Sequence, residues 1–458
     1  MKDLYFVYEW LNSINQPSAA DEILPNKTRS RKRAYPSPDP EDLDPLDMSA
    51  ISTPQKRRRV DENNELDQTP RETILNPNPR PSPSSSPTKS SASLRSASSL
   101  RSGSHASSSR HKLSQLDLGQ EGIVKRQLKG PGTPQLPLVI KHVLLRIQRL
   151  ERCRGVLSTA LDAPDALAFL QEFDLDDTVF DTNSTGGSRL APSDVDEILL
   201  DAQRCFEMDH DEPVWNVEVH HPLLKKVFRR PSSTFSTDRL VDISLCTTAP
   251  IIREYLPIPL SDRRIDFCLY IDPRGDSNYP PKIDILRQQL PERSVNHTSY
   301  SPLLSHPTTV SFETKRSGND FDGGIPQIAV WQAAHWKMLR SLLRKKAREG
   351  SSVTTAQSRL GQGNTLEEDY VNNALKELGA LHGILIQGHE WYYVATSPEL
   401  TNDDGQPSSR TFLWLHQPIG RTSDALGLHK IAAFLEYMKV WTATSYWPWF
   451  KRHFLDTG

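Results

Sequence analysis

The greater, carboxy-terminal part of the sequence predicts an α/β domain, and the amino-terminal part predicts a long disordered region. Two observations lead there. From about residue 139 onward, short runs rich in β-branched and aromatic residues alternate with stretches of helical apolar spacing. Before that, proline, serine and charge take over, and 15 of the 30 residues from Pro81 to Arg110 are serine. Such a segment buries too little apolar surface to offset the entropy of ordering it. The expected organisation is therefore a short aromatic segment at 1–15, a disordered Ser/Pro-rich region at 16–135 and a folded domain at 136–458.

In chain order, Val139–Leu150 carries apolar residues at helical spacing. Asp165–Phe173 reads as a short helix, and Ser193 or Asp194 can cap a helix running through Phe206. Asp211-Glu212-Pro213 reads as another helix start, with proline at a position that tolerates it and Pro222 as a kink or end. Glu207, Glu212 and Glu218 are the acids of this region that could face a site. Leu240–Cys246 and the Ile/Phe/Leu/Tyr-rich run after Arg264 are candidate strands, with Asp266 at the start of the second. A proline-rich insertion covers Asp272–Thr309. The strand Val310–Arg316 follows, then a helix opening at Pro326-Gln327 and a loop at Gly350–Glu368. Strands at His382–Gln387, Trp391–Thr396 and Phe412–His416 precede a final helix, Ala425–Trp441.

Charge and cysteine content narrow the function classes. The formal net charge of −2 hides a split. Residues 17–135 hold 19 Lys+Arg against 14 Asp+Glu, whereas residues 136–458 hold 35 against 41. An acidic folded part does not advertise nucleic-acid binding, although a local basic groove can coexist with it. Cys153, Cys205, Cys246 and Cys268 form no C-x-x-C pair, so they indicate neither zinc nor a redox motif. No signal peptide and no transmembrane run is expected. Within the tail, Lys56-Arg57-Arg58-Arg59 has the form of a nuclear import signal, implying an import receptor as partner and a nuclear location. Ser/Thr-Pro pairs, among them Thr53 beside that cluster, are candidate phosphorylation sites.

The chemistry concentrates at Glu313-Thr314-Lys315. On a strand, side chains alternate, so Glu313 and Lys315 share a face and Thr314 takes the other. A carboxylate can hold a divalent metal, and an adjacent lysine can hold a water or help deprotonate it. Together these are minimal equipment for metal-assisted phosphodiester hydrolysis.

These residues, with others, resemble the PD-(D/E)XK nuclease superfamily and more narrowly its fungal nuclease-like domains. The resemblance is carried by Glu212 with Pro213-Val214-Trp215-Asn216 and Val219-His220, by Arg264-Ile265-Asp266, by Asn296-His297-Thr298, by Ser311–Lys315, and by Gln327 with Val330–Ala334. It spans roughly 190–450. It implies a restriction-endonuclease-like core, a central mixed sheet flanked by helices. It also implies that Asp266 and Glu313 bind Mg²⁺ or Mn²⁺, that Lys315 assists the attacking water, and that Glu212 completes the metal shell. Gln327 and Arg264 would contact substrate, DNA ahead of RNA. Three features depart from the pattern. A long insertion separates the aspartate strand from the E-x-K strand, no proline precedes Asp266, and the glutamine helix reads Q-x-x-x-W. The alternative expectation is a catalytically silent nuclease-like fold serving as a nuclear binding module.

Overall fold

The structure, a computed structural model, describes residues 121–456 except 131, 134–135, 162, 183–185, 230–239, 258–262, 319–322, 352–361, 403–405 and 407. The segments 1–15 and 16–120, including Lys56–Arg59, lie outside the described residues.

Nine strands are described: β1 (Ile123–Gln127), β2 (Leu157–Ser158), β3 (Phe180–Asp181), β4 (Val241–Leu245), β5 (Phe267–Ile271), β6 (Thr308–Lys315), β7 (Leu381–Gln387), β8 (Glu390–Pro398) and β9 (Thr411–Arg421). Seven form one sheet in the order β1-β9-β8-β7-β6-β5-β4, and β2 and β3 pair apart from it. The large sheet is mixed: β1 with β9 and β6 with β7 run parallel, the remaining neighbours antiparallel. The helices are α1 (Leu138–Glu151), α2 (Ala163–Glu172), α3 (Pro192–Glu207), α4 (Glu212–Trp215), α5 (His221–Phe228), α6 (Pro280–Gln288), α7 (Ile325–Ser351), α8 (Gln362–Leu378), α9 (Ala425–Trp441) and α10 (Trp447–Phe450). They flank the sheet, as expected of a restriction-endonuclease-like α/β fold.

β6 is the third strand from the β4 edge and is buried on both faces over Thr308–Thr314. Its residues, TTVSFETK, are mostly β-branched or aromatic and suit such a position. Val310 and Phe312 join the apolar core. Glu313 stands on the other side of the pleat and is buried as fully as they are. Depth, rather than the local sequence, gives this carboxylate its unusual surroundings.

Four local expectations change. β1 lies inside the segment expected to be disordered, so the folded part begins ahead of the boundary placed at 136. Only Ile123 of that strand is buried, and Lys125, Arg126 and Gln127 are exposed, so it lacks the alternation that marks a half-buried strand. Lys and Arg suit an edge strand. Pro222 does not end its helix. Asn216–His220 forms a single π-helical turn between α4 and α5, which shifts the bonding pattern just ahead of the missing N–H. The cap of α3 is neither Ser193 nor Asp194 at the N-cap. Ala191 sits there, and the Asp194 side chain reaches back to its N–H at 3.4 Å. Finally, α7 runs to Ser351 and α8 starts at Gln362, so much of the expected loop 350–368 is helical.

The 272–309 insertion is tied down through Asn296. Its amide donates to the carbonyls of Leu303 (2.5 Å) and His306 (3.0 Å), and its oxygen accepts from the Thr308 N–H at 2.8 Å. Asn296 is fully buried with its donors used, so it serves as a structural anchor of the insertion.

Candidate active site

Asp266, Glu313, Lys315 and Glu212 converge. In the antiparallel pair β5–β6, Phe267 lies opposite Phe312. Extending that register by one residue sets Asp266 across from Glu313. Facing positions of this kind bring Cβ atoms within about 4.5–5.5 Å. The Asp266 carboxylate turns onto the next residue of β6. Its Oδ2 accepts from the Thr314 N–H and the Thr314 hydroxyl, both at 2.8 Å. Thr314, the unremarked middle letter of the triplet, is thus the residue that orients Asp266.

Lys315 reaches back over the same face. Its Nζ donates to Glu313 Oε1 at 2.6 Å, to the Thr314 carbonyl at 2.6 Å and to Glu212 Oε2 at 3.3 Å. Of the three upstream acids, only Glu212 meets the strand. Glu218 pairs with Arg204 at 2.7 Å, and Glu207 accepts from Gln203 at 2.7 Å. Glu212 opens α4, where the helix dipole favours a carboxylate and the Asp211 side chain caps the Val214 N–H at 3.4 Å. The helix is pinned from below by His220, whose Nε2 donates to the Gly388 carbonyl at 3.1 Å while Nδ1 meets the Asn216 side chain at 3.0 Å. Gly388 occupies the tight β7–β8 turn at φ +54°, where a Cβ would stand 2.8 Å from that of Ser317. His220 thereby ties the helical stretch of Glu212 to the turn whose Gly388 N–H bonds the Lys315 carbonyl at 3.0 Å.

The charges do not balance: three carboxylates face one ammonium. Burial pushes the Glu313 carboxyl well above its ordinary range, against the pull of Lys315 and with added repulsion from Asp266. Burial also raises Glu212, again opposed by Lys315 and reinforced by Asp266. Burial alone would draw the Lys315 ammonium down, but Glu313 and Glu212 overcome it and hold the group above its usual value. Lys315 is therefore a cation and a hydrogen-bond donor here. That favours orienting a water or a phosphate oxygen over removing a proton.

Gln327 and Arg264 are placed less decisively. Gln327 lies in the first turn of α7, half-buried, one turn beyond Gly324. A Cβ on Gly324 would meet Leu385 Cδ1 at 2.8 Å, Glu313 Cγ at 3.2 Å and Lys315 Cγ at 3.3 Å. The start of α7 therefore presses directly on the pair, and Gln327 stands beside it. The glutamine locked by packing is Gln332, whose Nε2 donates to the His382 carbonyl at 2.8 Å. Arg264 is exposed, two residues before Asp266.

A family model of the PD-(D/E)XK nuclease superfamily matches residues 161–447. The chain belongs to that superfamily. The match spans the helix of Glu212, the Asp266 strand, the E-x-K strand and the final helix. No curated protein and no solved structure matched the chain.

PD-(D/E)XK nucleases typically work with divalent metals, and the residues present suit such an ion. Glu313 Oε2 is buried and has no hydrogen-bond partner among the described residues. A cation is what such an oxygen lacks. Asp266 supplies a second carboxylate from across the strand pair. Among the described residues no preformed group of three or more His, Cys, Asp or Glu closes around a point. Two carboxylates with one oxygen unpartnered suit an oxygen-preferring divalent ion that keeps several of its waters. No helix of the described residues is long and apolar enough to cross a membrane.

Proposed function

We propose that this PD-(D/E)XK domain hydrolyses phosphodiester bonds of nucleic acid, DNA ahead of RNA, with Asp266 and Glu313 as ligands of a divalent ion, Mg²⁺ or Mn²⁺. The observation that carries the reading is the buried, unpartnered Glu313 Oε2 beside Lys315. When bound, such an ion polarises the phosphoryl oxygen and lowers the pKa of a coordinated water. The chain's own residues do the rest. Thr314 fixes Asp266 so that it needs no reorganisation on binding. Lys315 donates toward the attacking water or the phosphate oxygen that gains charge. Glu212 keeps Lys315 protonated and lies within reach of the same waters. Arg264, exposed at the entrance to β5, and Gln327, beside Gly324, contact the substrate backbone.

The test is purified full-length chain with plasmid DNA, single-stranded DNA and RNA, in Mg²⁺, Mn²⁺ or EDTA. Cleavage that needs the metal and disappears in Glu313→Ala/Lys315→Ala is the expected result. Absence of both cleavage and metal binding in the parent would refute the reading. The acidic balance of residues 136–458, 35 Lys+Arg against 41 Asp+Glu, favours a second reading, a silent nuclease-like fold used as a binding module. Calorimetric titration of Mg²⁺ into the parent and Asp266→Ala separates the two, because the silent fold gives no saturable heat in either.

We further propose a nuclear location, directed by Lys56-Arg57-Arg58-Arg59 through an import receptor. A fluorescent fusion should leave the nucleus when these four residues become alanine. Unchanged nuclear signal would remove the proposal.

A further inference from the structure

The long helix α7 carries two chemistries. Gly324, immediately ahead of its first turn, backs onto Glu313 and Lys315. Thirteen residues on from Gln327 in that turn, or about 20 Å along a helix, Arg340 lines a cavity of about 700 Å³. The size falls within the usual range for small-molecule sites. Lys337, Arg340, Arg344, Lys345 and Arg348 all line it from one stripe of α7 at i, i+3, i+7, i+8 and i+11 spacing. In a domain that is net acidic, this is a local inversion of charge.

Most of these cations are already matched. Lys337 pairs with Glu121 at 2.8 Å, Arg344 with Glu368 at 2.8 Å and Arg348 with Glu367 at 2.8 Å. Arg340 is not. It is 7% exposed and makes no hydrogen bond or ion pair among the described residues. Burial and neighbouring Arg344 pull its guanidinium down, opposed by Glu368 and Glu121. Lys345 has no carboxylate either, only the Gln289 carbonyl at 3.0 Å. Among the lining acids, Glu349 pairs with Lys346 at 3.1 Å, and Glu254 is exposed at the rim. A guanidinium at a cavity wall, with five donors and no protein acceptor among the described residues, is available to oxygens that a ligand brings. The Ser341 and Ser409 hydroxyls line the same cavity and add neutral donors.

We propose that this cavity is an anion site, separate from the nuclease centre, that binds the phosphate dianion of a small phosphorylated molecule. Arg340 engages phosphate oxygens through its planar fork, Lys345 supplies the second charge, and the serines complete the shell. A dianion matches the two cations that lack carboxylates, whereas a monocarboxylate would leave one unmatched.

The experiment is isothermal titration of the full chain in EDTA with inorganic phosphate and, separately, adenosine monophosphate. Saturable one-site binding is expected. Arg340→Gln should weaken it at least about tenfold, the loss expected for charge-assisted hydrogen bonds. Lys345→Gln, at a partly exposed position, should weaken it several-fold and serves if Arg340→Gln fails to fold. Glu313→Gln should leave binding unchanged, which keeps this site distinct from the nuclease centre and from any failure of the nuclease reading. Tighter binding of adenosine monophosphate assigns the phosphate to a nucleotide, and equal binding assigns it to free phosphate. No saturable binding of either probe to the parent, or parental affinity in both cavity variants, would overturn the proposal.

Discussion

Among the described residues, Lys315 is the one ammonium facing three carboxylates, and replacing it with methionine tests that arrangement directly. The side chain has nearly the same volume, so the substitution removes charge with little change in packing. What remains is Glu313, completely buried, with both oxygens then unpartnered. Breaking a buried pair on one side costs about 3–5 kcal/mol. A ceiling follows from protonation. Neutralising an ordinary glutamate at pH 7 costs about 1.4 kcal/mol for each of roughly 2.7 pH units, or about 4 kcal/mol. Once the penalty reaches that value the folded protein takes up a proton instead. The parent already carries part of that penalty, because its Glu313 carboxyl is raised even beside Lys315, so Lys315→Met in EDTA should lose about 1–3 kcal/mol. Glu313→Gln should change stability by no more than about 1 kcal/mol, since it removes the most desolvated charge and leaves Lys315 with Glu212 and the Thr314 carbonyl. The double variant should return to within about 1 kcal/mol of the parent, a coupling of about 1–3 kcal/mol in a double-mutant cycle. Urea unfolding followed by fluorescence of buried tryptophans such as Trp215, Trp331 and Trp391 measures all four proteins. A loss below about 1 kcal/mol for Lys315→Met with no coupling would show that Lys315 does not neutralise Glu313, and the account of the site would fail with it.

Three further outcomes are expected. Thr314→Val keeps the backbone donor to Asp266 but deletes the hydroxyl at 2.8 Å, so metal-dependent cleavage should fall about 10- to 100-fold while melting temperature changes little; equal loss of both would assign Thr314 to the fold alone. Gly324→Ala drives a methyl to 2.8 Å from Leu385 and 3.2 Å from Glu313, and cleavage should fall at least about tenfold through displacement of the α7 start. Parental activity there would mean that the helix yields without disturbing the pair. The third concerns acid. Burial lowers His220 and His429 to about 4 and His335 and His382 to about 3. These groups stay neutral in the folded state while the unfolded chain binds protons below about 6.5, so stability falls as pH drops from there toward 4. At pH 5.5 each contributes a loss of about 1.4 kcal/mol, together about 6 kcal/mol, comparable to the whole stability of many domains. Melting temperatures should decline steeply between pH 7 and 5.5, and a flat profile would contradict the buried neutral assignments.

The strand around Glu313 and the aspartate strand were readable because β-branched and aromatic clusters with turn residues at their ends are local signals. The same is true of the start of α4, marked by Asp211, Glu212 and Pro213. β1 was missed because an edge strand with one buried residue shows no alternation. The helical continuation through Pro222 was missed because a π-turn depends on how the helix packs, and no single residue announces it. Thr314, Asn216 and His220 act through contacts to Asp266 and Gly388 that span 48 and 168 residues for the first and last of them, beyond the reach of any periodicity. The Arg340 stripe was present as letters, but only the fold separates a solvated basic face from a guanidinium held at the wall of a cavity.

By itself the sequence determined the class of the domain, the strand that carries Glu313 and Lys315 on one face, and the family resemblance, because each depends on residue types at short spacing. Only the tertiary structure decided that Asp266 and Glu212 meet that pair, that Glu207 and Glu218 do not, and that Lys315 stays protonated. The physical reason is desolvation. A carboxylate has no unusual property as a letter in a chain. It acquires one when a central strand buries it, a neighbouring strand brings a second carboxylate across from it, and a helix closes the far side.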